Sequence, residues 1–527
     1  MGRSAVWLVD RALELGRDAL VRRLSIRLAI TVLGIGLVLL SLALMERRLG
    51  KRRLSRTLAA IERTGDTLSV AAFRPPTIPD ASNAWFLLLP HTNNLAKVPD
   101  IIREPLPLWR WASAGTLLPL GSGTNGADPE VAAKELADAM GALGNALAGG
   151  EELRQSIHQS LARPDLDSGC SYQDGFFEMP QDTTVLLSAG RWLHAEACKG
   201  LIDRDAVATR RALVSLLRLL RHQRRQPLLI GQLTRYSVVI RTLGLTAHGL
   251  RDSRFLSTED LIELRQAWAG FGVLADFEQS LQMERAVAQQ HFQLLATRPV
   301  RRAEAIGWAD ESRKMMDLDA EPTWQRAWRT LVQEPLWPWL WADHDLAWSL
   351  THWNYRIEAA RRAQSASWTE AAFDISALDV RSGFLDDDPA ESVPGPSWAD
   401  RMRCRFSLSG PSLFSDRHYF LSAYRAEVAR RLTVAALHVH TFRREHGRWP
   451  ASLAQAYSGA SGGEGPLDPM DGRPLRYRRQ EDETGFLLYS VGSDGKDDGG
   501  STELESQKLT YRTPFDGKDW VWPRLGD

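Results

Sequence analysis

Leu467-Asp-Pro-Met-Asp-Gly-Arg-Pro-Leu-Arg-Tyr477, followed by Gly485-Phe-Leu-Leu-Tyr-Ser-Val-Gly-Ser-Asp-Gly-Lys-Asp-Asp-Gly-Gly500, decides how the end of this chain folds. Leu475–Arg479 and Gly485–Val491 are short runs of strand-forming residues on either side of a turn, and they predict a hairpin. Trp520-Val-Trp522 predicts a further strand. The second run enters a loop dense in carboxylates and glycines. A hard cation such as calcium takes about six to eight oxygens, which three carboxylates with carbonyls and water would supply. Gly492, Gly495, Gly499 and Gly500 would let the backbone turn its carbonyls inward. The competing interpretation is a solvated acidic turn that closes the hairpin.

Upstream, Ser415 to His446 predicts one long helix of roughly 48 Å. Phe420, Leu421, Tyr424, Val428, Leu432, Ala435, Val439 and Phe442 line its buried side. Gly447 stands where a left-handed cap is needed, and Pro450 prevents continuation. His438 and His440 on this helix point to different faces, which argues against a metal pair.

The order of these motifs resembles the globular domain of the major pseudopilin of type II secretion. The likeness comprises the long helix, Gly447-Arg-Trp-Pro450, Asp468-Pro with its turn, the Leu475–Tyr477 strand and Leu488-Tyr-Ser-Val-Gly-Ser-Asp-Gly495. It covers about residues 415–527. The resemblance implies a calcium loop in which Val491 offers its carbonyl and Asp494 its carboxylate, with Asp497 and Asp498 as further acidic ligands. It also implies partners among envelope or secretion-system proteins. Two departures weigh against filament assembly: the apolar helix lies nearly four hundred residues upstream, and no peptidase-type junction precedes the domain. The whole layout also resembles uncharacterised membrane-anchored proteins of planctomycete-like bacteria.

Leu28 to Met45 is a run of 18 residues without a charge, flanked by Arg27 and Glu46. Its seven leucines, two isoleucines and two valines contribute roughly −3 to −7 kcal/mol to insertion. As a helix it is about 27 Å long, enough for the hydrocarbon core. The alternative is a cleaved signal peptide, but its small-x-small match, Ser41-Leu-Ala43, lies inside the apolar run rather than after it. A retained signal anchor is therefore expected. Six basic residues precede the span (Arg3, Arg11, Arg17, Arg22, Arg23, Arg27) and six follow it (Arg47, Arg48, Lys51, Arg52, Arg53, Arg56). The positive-inside rule thus gives no orientation. The resemblance favours an inner-membrane protein with a cytoplasmic N-terminus and most of the chain outside the cytoplasm. Val6, Val9, Leu13, Leu20 and Leu24 form a helical stripe suited to the membrane surface.

The 527 residues balance 65 basic against 65 acidic side chains, so no basic bias points to nucleic acid, and none is expected as a partner. The three cysteines show no metal spacing and allow at most one disulfide, Cys170–Cys198 being the nearer pair. Gly121-Ser-Gly-Thr-Asn-Gly126 lacks the strand and βαβ setting of a dinucleotide loop and reads as a flexible loop. No nucleophile or metal-hydrolase motif stands out, so no catalytic residue is nominated.

The expected architecture is mainly α. Residues 1–27 form an amphipathic segment, 28–45 the transmembrane helix, and 46–127 a proline-punctuated neck. Residues 128–385 form a helical domain with long helical stretches over Thr184–Arg221, Gly231–Arg251, Ser257–Thr297 and Glu321–Ala363, and 386–410 an acidic linker. Residues 411–527 form a pseudopilin-like α+β module. The leading function is a single-pass envelope protein with a structural or interaction role. The alternative is an anchored hydrolase with its site among the helices, lined by some of the 19 tryptophans.

Overall fold

The computed structural model describes residues 2–73, 78–103, 111–113, 116–117, 129–178, 181–224, 226, 228–315, 323–382, 397–406, 416–458, 465–481, 485–503 and 515–525. The side chains of residues 2–25, and with them the predicted N-terminal stripe, lie outside this description. So do Gly121–Gly126 and the acidic linker at 386–396.

The chain opens with one helix, α1 (Gly2–Arg63), which is 62 residues long. The predicted surface segment, the apolar run and the first part of the predicted neck are thus a single helix. The rest of the neck carries three short helices, α2 (Ala84–Leu88), α3 (Thr92–Ala96) and α4 (Asp100–Arg103), and strands β1 (Trp111–Ser113) and β2 (Thr116–Leu117). Long helices follow: α5 (Pro129–Gly149), α6 (Glu151–Leu161), α7 (Gln181–Ile202), α8 (Ala206–Gln223), α9 (Leu229–Arg251) and α10 (Thr258–Ala269). Next come α11 (Leu274–Thr297), α12 (Pro299–Met315), α13 (Thr323–Trp328), α14 (Glu334–Leu340) and α15 (Ala342–Ser365). Helices α16 (Trp368–Ser382), α17 (Trp398–Arg403), α18 (Asp416–His446) and α19 (Leu453–Tyr457) precede strands β3 (Arg476–Arg479), β4 (Phe486–Val491), β5 (Asp519–Val521) and β6 (Arg524–Leu525).

Three predicted helical stretches are broken, Glu321–Ala363 at Trp341 between α14 and α15 and two others as follows. Arg204 adopts a positive φ of 58° between α7 and α8, and the Asp205 side chain then accepts the N–H of Ala208 as an N-cap. Between α10 and α11 the chain turns through Gly270-Phe-Gly272, after α10 has opened with a Ser257/Asp260 capping box.

The residues fall into two compact units. The smaller comprises Met1–Thr64, Phe292–Ser349 and Ser397–Pro411. Trp337 is fully buried there, edge-on to Phe406 at 4.8 Å. Its indole N–H donates to Asp345 at 2.9 Å, and the same carboxylate oxygen accepts the backbone N–H groups of Arg405 and Phe406 at 2.8 Å each. Arg405 is 1 % exposed and donates to Glu334 at 3.1 Å. Beyond its apolar run, α1 belongs to this packing. Glu46 accepts from Arg403 at 3.0 Å, and Arg53 donates to Asp400 at 2.9 Å. A Cβ at Gly50 would stand 2.8 Å from the His344 ring, so only glycine permits that approach.

The larger unit comprises Gly65–His291, Leu350–Pro396 and Ser412–Asp527. Helices α7, α8 and α9 pack on one another, and α18 packs against α9, α10 and α16. Phe420 of α18 lies edge-on to Phe277 at 4.9 Å. Its first turn is fixed where Arg356 donates to Asp416 at 2.6 and 3.1 Å. It ends as expected on Gly447, at a φ of 71°. Strands β3, β4 and β5 form an antiparallel sheet in that order, with Arg476 opposite Tyr489 and Tyr489 opposite Val521. The long helix and small sheet are therefore present. The helix is a core element of the larger unit, packed on both α9 and β4. All three cysteines are free thiols, so the Cys170–Cys198 pair is not bridged.

Candidate functional site

The four residues nominated for calcium lie at and after the end of β4. Val491 is buried, and its carbonyl oxygen lies 3.0 Å from the Ser490 hydroxyl oxygen, whose proton goes to Asp468. Asp497 accepts the Tyr489 hydroxyl at 2.9 Å, the N–H of Gly499 at 3.1 Å and the Nε of Arg476 at 3.3 Å. Asp494 accepts the N–H of Lys496 at 3.1 Å, and Asp498 is exposed. Among the described residues, no group of three or more His, Cys, Asp or Glu side chains is placed to hold a metal ion. In this arrangement Asp497 is engaged by three protein donors.

Two aspartates that the sequence reading did not nominate organise this region. Asp468 is fully buried beside β4 and accepts from the Ser490 hydroxyl at 2.6 Å and from the N–H groups of Met470 and Val491 at 2.9 Å each. Burial pushes its carboxyl up to about 6, partly offset by those bonds. The Arg476 guanidinium stands 3.2 Å from it. Asp519 on β5 accepts the N–H groups of Gly500 at 2.7 Å, Ser501 at 3.0 Å and Asp498 at 3.4 Å. These bonds fold the acidic loop back on the sheet. Gly492 must be glycine, since a Cβ there would overlap the Lys518 carbonyl oxygen at 1.6 Å. The only advance signal was the Asp-Pro turn at Asp468; nothing local marked Asp519.

A nucleophile-like constellation does occur among the helices. His158 on α6 lies with Nδ1 2.7 Å from the Ser215 hydroxyl on α8 and Nε2 2.9 Å from the Glu196 carboxylate on α7. Arg154 reaches the same carboxylate at 3.2 Å, and Arg211 also donates to it. Burial would raise Glu196, but the hydrogen bond and charge of His158 and the two arginines hold it down to about 2. The order serine, histidine, carboxylate is that of an activated hydroxyl. Ser215, however, is 2 % exposed and sits mid-helix, where the surrounding N–H groups are spent on the helix ladder and cannot form an oxyanion hole. The cluster therefore acts as a buried polar clip joining α6, α7 and α8.

The most unusual surface lies on α1. Thirteen large apolar side chains from Ile26 to Met45 are each at least 43 % exposed, and they occupy every side of the helix. Immersing them fully in apolar surroundings is worth about 1.5–3 kcal/mol each. In water the whole run would forfeit on the order of 20 kcal/mol or more, beyond the net stability of an ordinary domain. The helix is long and apolar enough to cross a membrane, by length and composition. No protein-family model, curated protein or solved structure matches the chain. The pseudopilin likeness consequently rests on the quoted motifs alone.

Proposed function

We propose that this chain is a single-pass membrane protein, retained by α1, whose folded part has a structural or interaction role on the outer side of a bacterial inner membrane. The observation that carries this reading is the continuity of α1. Its fully exposed apolar run passes without a linker into residues packed in the smaller unit, including Glu46, Gly50 and Arg53. The cleaved-signal alternative is disfavoured because Ser41 and Ala43 lie within that helix, the Ser41 hydroxyl donating to the Leu37 carbonyl at 2.8 Å. An interaction role is favoured over hydrolysis because the Ser215 hydroxyl is closed to substrate. Envelope or secretion-apparatus proteins are the partners that the motif likeness suggests.

Alkaline extraction of membranes tests the anchor: the chain should stay with the lipid pellet, and release into the supernatant would overturn the reading. A C-terminal reporter active only outside the cytoplasm should give the topology. Activity inside would reverse it.

A further inference from the structure

The smaller unit has a second apolar surface beside the end of the span. Helix α13, a π turn (Arg329–Gln333) and α14 form an unbroken helical run over residues 323–340. Trp324, Leu331, Leu336 and Trp339 on it are 60, 74, 42 and 40 % exposed. Their spacings are seven, five and three residues. The step of three within α14 puts Leu336 and Trp339 on one face, and the π turn lies between them and Trp324. All four side chains are open to the outside of the run. Among the described exposed residues of this run, Arg326 is the only charged one. The carboxylate of Glu334 is turned inward to Arg405.

The position of this face says what covers it. Helix α14 packs against α1, and the Arg47 guanidinium lies 5.6 Å from the centre of the Trp339 ring. Arg47 is two residues beyond Met45, about 3 Å further along the helix axis. Trp339 thus stands at the level where the apolar run ends, the depth at which tryptophan is enriched in membrane proteins. Arg48, Lys51 and Arg52 are exposed on α1 just beyond. Apolar side chains with a basic rim, and no exposed carboxylate among the described residues of the run, are the composition of an interfacial helix on anionic lipid.

We propose that residues 323–340 form a membrane foot: Trp324, Leu331, Leu336 and Trp339 insert at the headgroup–acyl boundary of the leaflet from which α1 emerges. The basic residues beside them would meet anionic phospholipid headgroups. This rests on reading α1 as a span and adds a second lipid contact that holds the smaller unit against the bilayer.

The test uses the full chain carrying Cys170→Ser, with single cysteines introduced for an environment-sensitive fluorophore. The protein is reconstituted into phosphatidylcholine–phosphatidylglycerol vesicles with or without acyl-brominated lipid. Leu331→Cys and, independently, Leu336→Cys report on the foot. Val38→Cys reports on the span, and Trp398→Cys, at a 73 % exposed position of the same unit, is the dry control. Brominated lipid should quench labels at 331, 336 and 38 by about twofold or more and leave 398 unchanged. Quenching at 38 without 331 and 336 overturns the foot and leaves the span standing. No quenching at 38 overturns both. Equal quenching at 398 overturns a selective foot. Cysteine crosslinking between copies through 331, without lipid quenching, would assign the face to a second copy instead.

Discussion

Ser215 and Glu196 occupy both ring nitrogens of His158, so losing either strands a buried polar group. Ser215→Ala should lower stability by about 1–3 kcal/mol, read as a lower urea midpoint with an unchanged slope. Glu196→Gln should cost roughly 2–3 kcal/mol, below the value for a fully buried pair because Arg211 is half exposed. Glu196 is held below its unfolded value, so its contribution is present above about pH 4.5 and lost as pH falls towards 2. Asp468→Ala should cost about 3 kcal/mol, since it frees one hydroxyl, two N–H groups and an arginine at once. Asp494→Ala should change the midpoint by less than about 0.5 kcal/mol, because its one mapped bond is a local turn contact. The sequence pointed to the conspicuous carboxylates at 494, 497 and 498. The organising ones, Asp468 and Asp519, depend on strands brought together across the chain. His158, Ser215 and Glu196 sit on three helices, and periodicity can assign each to a face without telling which faces meet.

Helix α18 shows both what was readable and what was not. Its stripe from Phe420 to Phe442 and its Gly447 stop were legible because large apolar residues and a cap leave local marks. Its opposite side was not, because it is built from small residues: Ala423, Ala426, Ala429 and Ala436 are all fully buried. A helix apolar on several sides is a core helix, and α18 packs on α9, α10 and α16 accordingly. The breaks at Arg204 and Gly270–Gly272 were missed because the apolar period runs on through them. The sheet joins the helices through Trp368, which packs edge-on to Tyr424 at 5.4 Å and donates to the Ser493 carbonyl at 2.9 Å. Trp368→Phe keeps much of the ring packing and loses that bond, so it should destabilise by about 1 kcal/mol. Calcium should leave the melting temperature of the full chain in detergent unchanged, as Asp497 is committed to Arg476 and Tyr489. A rise that Asp494→Ala abolishes would instead establish a calcium loop.

At the scale of the whole molecule, acid sensitivity should come from histidines before carboxylates. Burial holds His194 and His440 down to about 3, and His248, His291 and His438 down to about 4. All are neutral when folded and take up protons on unfolding once pH drops below about 6.5, so stability present above that value falls as pH declines towards 4. The melting temperature in detergent should therefore begin to drop near pH 6.5. A flat profile to pH 5 would contradict the neutral, buried assignment. The apolar run of α1 was the most legible feature of the chain, because 18 uncharged residues leave a signal that needs no tertiary context. The continuation of that helix into packed structure was not, because Gly50 and Glu46 gain their roles only from His344 and Arg403.

The most direct measurement is labelling of single cysteines at Leu33, Val38 and Arg48 in native membranes with a membrane-impermeant maleimide, in the Cys170→Ser background. Arg48→Cys should react from the side that holds the folded part, while Leu33→Cys and Val38→Cys should react only after detergent. Reaction at 33 and 38 in intact membranes, or a mature chain that begins after Ala43, would contradict a retained helix running through the bilayer into the protein.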